Sequence, residues 1–151
     1  YSRQQYEQTA AAVGGTDALY LRYFDLQYEM LGFLKPAVVG HFDLIRIFDP
    51  DYKQRLAKPE IIARMRRNLE LIKELGLVMD FNLRALLKGA DEPYISRPIL
   101  LMAKELGIRV MPGDDSHGVA NVGANMDKAL SILSELGFDT QWGQWQPGRR
   151  A

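Results

Sequence analysis

The chain has 151 residues, enough for one domain with a substantial core, and at 47% hydrophobic and 25% charged it has the composition of a soluble globular protein. Nineteen basic residues balance nineteen acidic ones, so no overall field draws the chain to nucleic acid or to an anionic membrane. It has no cysteine, which excludes disulfides, thiolate metal sites and cysteine nucleophiles and fits a reducing, cytoplasmic setting.

No apolar run approaches the roughly 20 residues of a membrane-spanning helix, and nothing at the start reads as a secretory leader. The chain begins with Tyr1 rather than Met, which leads us to expect a piece of a longer polypeptide. Residues 1–13 are polar and weakly patterned and fit either a helix or a frayed end. Residues 17–34 predict a helix capped by Thr16, with Leu19, Tyr20, Tyr23, Phe24, Leu26, Tyr28, Met30 and Leu31 forming its apolar surface. Those aromatics and methionines read as core rather than as a ligand box. Val38-Val39 predicts a short buried strand, and Gly40 allows close approach just before His41.

Pro59 suits the first turn of the next helix. Ile62, Met65, Leu69 and Ile72 follow at helical spacing, while Arg64, Arg66, Arg67 and Lys73 are free to face water. Glu60, Glu70 and Glu74 balance the arginines, so this is a solvated face and not a nucleic-acid patch. The chain then repeats itself. Glu74-Leu75-Gly76, Glu105-Leu106-Gly107 and Glu135-Leu136-Gly137 recur about every 30 residues. Each glycine fits the left-handed position that ends a helix, and a strand is expected at once after it, at 77–82, 108–112 and 138–140. Helices are expected over 99–106, with Pro98 in the first turn, and over 126–136. Beyond them, residues 142–150 read as a strand end and a disordered stub. Helix-strand units at this spacing signal a parallel α/β sheet or barrel in a single domain.

The chain has two histidines, and each ends an apolar run. His41 follows Val38-Val39-Gly40. His117 sits in Gly113-Asp114-Asp115-Ser116-His117-Gly118. Imidazole and carboxylate at strand C-terminal ends are the materials of a metal site in an α/β barrel. On an extended backbone Asp115 and His117 would point to the same side and share one ion or hold two. The plainer alternatives are a polar turn whose aspartates satisfy backbone amides, and a histidine with ordinary hydrogen bonds. Arg46, alone among apolar residues, needs an anion: a phosphate oxygen, or an internal partner at Asp43 or Asp49. There is no dinucleotide fingerprint, no P-loop, no nucleophile elbow and no zinc-protease helix motif.

Gly40-His41-Phe42-Asp43-Leu44-Ile45-Arg46 and Asp114-Asp115-Ser116-His117-Gly118-Val119-Ala120 resemble two signatures of the histidinol-phosphatases of the PHP superfamily. The double aspartate before Ser116, the segment 23–29 and Glu92-Pro93-Tyr94 resemble the fungal branch. The resemblance runs in order from about residue 15 to 140 and implies the C-terminal half of a distorted (βα)7 barrel with parallel strands and outer helices. It further implies one partial domain over 1–151, with ends at 1–14 and 143–151 that pack weakly. It implies hydrolysis of L-histidinol phosphate in histidine biosynthesis, with up to three divalent ions (zinc, manganese or iron). By position, His41 would ligate one metal, and Asp115 and His117 two others. Asp115 and His117 are also the catalytic candidates, since the departing alkoxide needs a proton from a histidine or aspartate. Arg46 would hold the phosphate. A second family arginine falls opposite Leu87, so Lys88 beside it, or Arg84, is the substitute. The family's leading H-x-H motif and its further His and Glu ligands are not in this chain, which implies a missing N-terminal half of the barrel. A PHP-fold phosphoesterase acting on a sugar phosphate or nucleotide end is the first rival reading. A non-catalytic scaffold without a complete metal site is the second. Under the leading reading the partner is a small phosphate ester, with no nucleic acid and no membrane.

Half a barrel leaves a sheet edge and apolar helix faces uncovered. The isolated 151-residue chain is therefore predicted to be marginally stable, prone to aggregate and inactive. A soluble monomer that unfolds cooperatively and shows metal-dependent phosphatase activity of its own would overturn this.

Overall fold

The computed structural model describes residues 2–141. The expected tail strand and stub at 142–150 lie outside the described residues. The elements run α1 (Arg3–Ala12), α2 (Thr16–Leu34), β1 (Val38–Val39), a 3-10 turn (Leu44–Phe48), α3 (Tyr52–Leu56), α4 (Pro59–Glu74) and β2 (Val78–Asn82). They continue with α5 (Arg84–Leu87), α6 (Arg97–Glu105), β3 (Arg109–Gly113), a second 3-10 turn (Val119–Asn121) and α7 (Met126–Glu135).

The weakly patterned start is a helix. Its N-terminus is fixed by a capping box: Ser2 accepts from the Gln5 amide, and the Gln5 side chain accepts from the Ser2 amide. Helix α2 begins one residue earlier than expected. Gly15, at φ 112°, takes the cap position, and Thr16 is helical and makes no side-chain cap. In α4 the inward face is Ile61, Met65, Asn68, Leu69 and Ile72. Ile62, expected inside, is 37% exposed at the margin of that arc.

The three strands form one parallel sheet in the order β1-β2-β3. Val39, Met79 and Val110 are register partners, all buried, and with Phe81 they meet the helical core of Phe24, Leu31, Met65, Leu69, Ile99 and Leu133. Period-2 alternation then places Val38, Val78, Asp80, Asn82 and Met111 on the opposite face. Of these, Val38, Asp80, Asn82 and Met111 line a cleft. The sheet is therefore apolar on one side and carries its polar residues on the other.

The repeat has a physical counterpart that the sequence reading did not use. Lys73, in the last turn of α4, donates to the Gly107 carbonyl at 2.9 Å. Lys104, in the last turn of α6, donates to the Gly137 carbonyl. Each lysine thus ties its helix to the glycine turn of the next unit, where free carbonyls favour a cation.

The third unit departs from expectation. Residues 138–140 form no strand among the described residues. Phe138 is buried, but Asp139 accepts from the Gln141 amide at 2.8 Å, and this local turn takes the place of a ladder hydrogen bond.

Helix α4 does not simply face water with its arginines. Arg64 and Arg67 both donate to Asp25 of α2, at 3.1 and 3.0 Å. Burial pushes the Asp25 carboxyl up, but the two arginines outweigh it and hold it below the ordinary range. A carboxyl depressed in the folded state stabilises above its unfolded value of about 4, and that contribution is lost as pH falls through the folded value. Asp25→Asn is expected to lower stability by up to about 1 kcal/mol at neutral pH. The difference from wild type should shrink as pH falls through the folded value, which thermal denaturation along an acid pH series checks.

Candidate functional site

Parallel strands end at one level, so the residues that follow β1, β2 and β3 converge. His41 follows β1 by two residues, Asp80 and Asn82 lie on β2, and Asp115 follows β3 by two. With Val38, Gly40, Met111 and Pro112 these residues line a cleft of about 450 Å³.

The two signatures meet. His41 Nε2 lies 3.1 Å from Asp115 Oδ2, although the residues are 74 apart in sequence. His117 Nε2 lies 3.5 Å from the other oxygen, Oδ1. Asp115 thus stands between the two imidazoles, one on each oxygen. The expected extended backbone is not how this happens. Asp115 is left-handed, at φ 48°, and so is His41, at φ 49°. A non-glycine residue in that region costs on the order of 1–2 kcal/mol, and such residues cluster at functional sites. The other two left-handed non-glycine residues among those described, Lys35 and Asn125, sit at helix ends.

The left-handed turn at His41 is held from behind. Tyr23 Oη donates to the carbonyls of His41 and Phe42, each at 3.1 Å. Gln27 Nε2 donates to the Phe42 carbonyl at 2.9 Å, and Asn68 donates to Gln27 at 3.0 Å. This buried chain of amides ties the loop to α2 and α4. Asp114 plays the plainer role that the sequence offered as the alternative for both aspartates. It accepts from the Gly123 amide at 2.6 Å and the Ser116 amide at 3.2 Å, closing the loop that carries Asp115 and His117.

Arg46 finds its anion inside the protein. It is 6% exposed, and its Nε donates to Asp43 Oδ2 at 3.0 Å. Its Nη2 donates to the Pro93 carbonyl at 2.6 Å and the Glu92 carbonyl at 3.3 Å. The guanidinium lies against the rings of Tyr94 and Tyr52, at 4.5 and 4.9 Å from their centroids. Tyr94 in turn lies 5.9 Å from the His41 ring. The cation therefore stands one aromatic ring behind the His41–Asp115 pair. Lys88 is exposed at the end of α5. Arg84, its alternative, reaches Asn121 Oδ1 at 3.4 Å, and its Nε is buried without a hydrogen-bond partner.

Asp80 is the site residue that the sequence reading missed. The signal was a carboxylate interrupting the buried run Val78-Met79-Asp80-Phe81-Asn82. Burial pushes its carboxyl up, and Asn82 and His41 oppose that. Burial also raises Asp115, but there the hydrogen bond and charge of His41, with Asn82, win and hold it low.

The donor set of two imidazoles around a carboxylate, with Asp80 near, suits a divalent ion by its chemistry. Among the described residues, however, no three His, Asp or Glu side chains are grouped so as to enclose one.

No protein-family profile matches the chain. A histidinol-phosphatase of Saccharomyces cerevisiae is 38% identical over 138 residues, covering 77% of this chain and 41% of that protein. A relative from Schizosaccharomyces pombe, provisionally named a histidinol-phosphatase, is 31% identical over 141 residues, covering 91% of the chain and 46% of its own length. The chain is thus similar to part of these two proteins. A crystal structure from Listeria monocytogenes, of a protein provisionally named a histidinol phosphatase, superposes with a TM-score of 0.67 at 30% identity. It covers 79% of this chain and 46% of that one. The chain thus spans less than half the length of the relatives it matches.

Gly113 makes room for Asp80. A Cβ added there would lie 2.3 Å from Asp80 Oδ1 and 3.2 Å from its Cγ. Asn82 holds the other oxygen at 3.0 Å, which limits how far the carboxylate can turn away. Gly113→Ala is expected to destabilise by about 1–3 kcal/mol. In an Asp80→Ala background the same change should cost little, a coupling that a double-mutant cycle in urea measures.

Proposed function

We propose that the chain is part of a metal-dependent phosphomonoesterase that hydrolyses L-histidinol phosphate to L-histidinol and phosphate. The observation that carries this reading is the His41–Asp115–His117 contact. It joins two segments that resemble the two signatures of one enzyme family, and two of its three residues are held in strained backbone. The homologues' names support the substrate.

The fold reading follows the same line. We take the three-stranded sheet as part of a larger PHP-type parallel barrel, with 1–151 as one partial domain. In support, His41 and Asp115 follow the C-terminal ends of parallel strands, where an α/β barrel carries its functional residues. Leu26, Met30, Phe33 and Leu34 of α2 are exposed apolar residues, suited to packing against a neighbouring unit. Among the described residues no helix is long and apolar enough to cross a membrane.

A divalent ion, whether zinc, manganese or iron, would supply Lewis-acid activation of water and neutralise phosphate charge when bound. His41 would ligate one such ion, and Asp115 and His117 two others; Asp115 presents one oxygen toward each imidazole. The remaining ligands of a site of up to three ions are assigned to the part of the relatives' fold that this chain does not span. Arg46, whose charge is met by buried Asp43, would act by backing Tyr94 behind the His41 ring rather than by holding the phosphate itself. Arg84 suits a second cationic role better than Lys88, because its buried Nε lacks a partner and its other end reaches the loop of Asp114. Asp115 and His117 are the groups at hand to exchange a proton with the leaving alkoxide.

The test is histidinol phosphate hydrolysis by a polypeptide long enough to span the relatives, with Mn²⁺ or Zn²⁺ and with chelator. Turnover should disappear with chelator. His41→Ala, His117→Ala and Asp115→Ala should each lower kcat/KM by about 100-fold or more while the protein stays folded. Chelator-resistant turnover, or an Asp115→Ala variant of full activity, contradicts the reading.

A further inference from the structure

We propose that Asp43 is a positioning residue of this site: its carboxylate fastens the loop that carries His41 to the loop that carries Tyr94, and so sets the imidazole against Asp115. The proposal rests on the functional reading above and gives Asp43 no contact with substrate or metal.

Asp43 lies two residues after His41 and is fully buried. A buried carboxylate needs opposite charge and hydrogen-bond donors. Asp43 gets both through one oxygen. Oδ2 accepts from Arg46 Nε at 3.0 Å and from the Ser96 amide at 2.9 Å. The other oxygen, Oδ1, has no hydrogen-bond partner, so both ties run through a single atom. The first tie stays within the His41 loop and fixes the guanidinium. The second reaches a residue 53 positions on, the N-cap of α6, where the helix dipole also favours negative charge.

From there the contacts lead back to His41. Nη2 of the fixed guanidinium donates to the Pro93 and Glu92 carbonyls, just ahead of Tyr94. Asp43 thus holds both ends of the segment 93–96, directly at Ser96 and through Arg46 at Pro93, and Tyr94 lies between. The Tyr94 ring is backed by the guanidinium at 4.5 Å from its centroid, and it meets the His41 ring at 5.9 Å, tilted by 56°. The His41 side chain is 35% exposed, and the Tyr94 ring limits how far it can swing away from Asp115. The residue types follow from these ties. A neutral side chain at 43 would leave a buried guanidinium without counter-charge one ring from His41. Lysine at 46 would lack the fork that lets Nε serve Asp43 while Nη2 serves Pro93.

The experiment reads the imidazoles in the polypeptide long enough to span the relatives, metal-free and labelled at histidine. The ring C–H signals of His41 and His117 are identified by their loss in His41→Ala and His117→Ala. Tyr94→Leu, which removes the ring that His41 meets, is the reference. Asp43→Ala cuts both ties and is expected to move the His41 signals toward those of Tyr94→Leu, while those of His117 move less. Asp43→Asn keeps an oxygen acceptor and should fall between wild type and Asp43→Ala. Where Asp43→Ala fails to fold because its arginine is left unpaired, Asp43→Leu/Arg46→Met decides, since neutral replacement of a buried ion pair is commonly tolerated. Unchanged His41 signals in the folded variant, or equal displacement of both histidines, overturn the proposal. With Mn²⁺, kcat/KM for histidinol phosphate is expected to fall about 10-fold in Asp43→Asn. A wild-type polypeptide without turnover counts against the functional reading, and the imidazole signals still decide the role of Asp43.

Discussion

The site depends on parallel strand register. Because Val39, Met79 and Val110 pair side by side, the three chains leave the sheet at one level and on one side. Residues from distant parts of the sequence then meet with no need for long loops. His41 and Asp115 are each two residues past a strand end, and Asp80 and Asn82 project from the middle strand between them. A shift of one residue in β2 would turn Asp80 and Asn82 into the helical core and bring Met79 and Phe81 into the cleft. The apolar face of the sheet forbids that shift, since Met79 and Phe81 are almost fully buried among helix side chains. Hydrophobic packing on one side of the sheet thus sets the chemistry on the other.

The same packing is reinforced by polar contacts that connect units rather than stabilise any one helix. Lys73 and Lys104 bind the glycine turns of the units that follow them. Arg64 and Arg67 clamp Asp25 across the α2–α4 contact, and Arg55 joins Asp49 and Asp17 near the 3-10 turn. Partly exposed pairs of this kind are individually worth about 1 kcal/mol or less. What they add is alignment. Most lie at the ends or flanks of the elements whose relative positions fix the cleft.

Much of this was legible in the sequence because it follows from periodicity. The 30-residue recurrence of Glu-Leu-Gly located two strand starts and the helices before them. The third strand failed because Asp139 has a local hydrogen bond to offer, and that competes with pairing in a way that periodicity does not register. His41, Asp115 and His117 were legible as a group through a family resemblance, and the structure brings them together, but by left-handed turns instead of extended chain. Arg46 was legible only as a need for an anion. Which anion was decided by the fold, which brings Asp43 and the Glu92-Pro93 carbonyls to it. Asp80 and Asn82 were illegible as site residues, since their significance arises from alternation on a central strand that turns them into the cleft.

The strained turns at His41 and Asp115 show how the layers connect. Left to itself, a histidine or an aspartate there would relax toward ordinary backbone angles, gaining on the order of 1–2 kcal/mol each. At His41 the relaxation is opposed by Tyr23 and Gln27, whose donors hold the two successive carbonyls of the turn, and Gln27 is itself held by Asn68 of α4. At Asp115 it is opposed by Asp114, which grips amides on both sides of the loop's return. In each case the restraint acts on the backbone and leaves the functional side chain free to face its partner. Helix packing keeps Gln27 and Asn68 buried, those amides keep the turn at His41, and the turn points the imidazole at Asp115. The strain at the site is thus sustained by the hydrophobic core on the opposite side of the sheet.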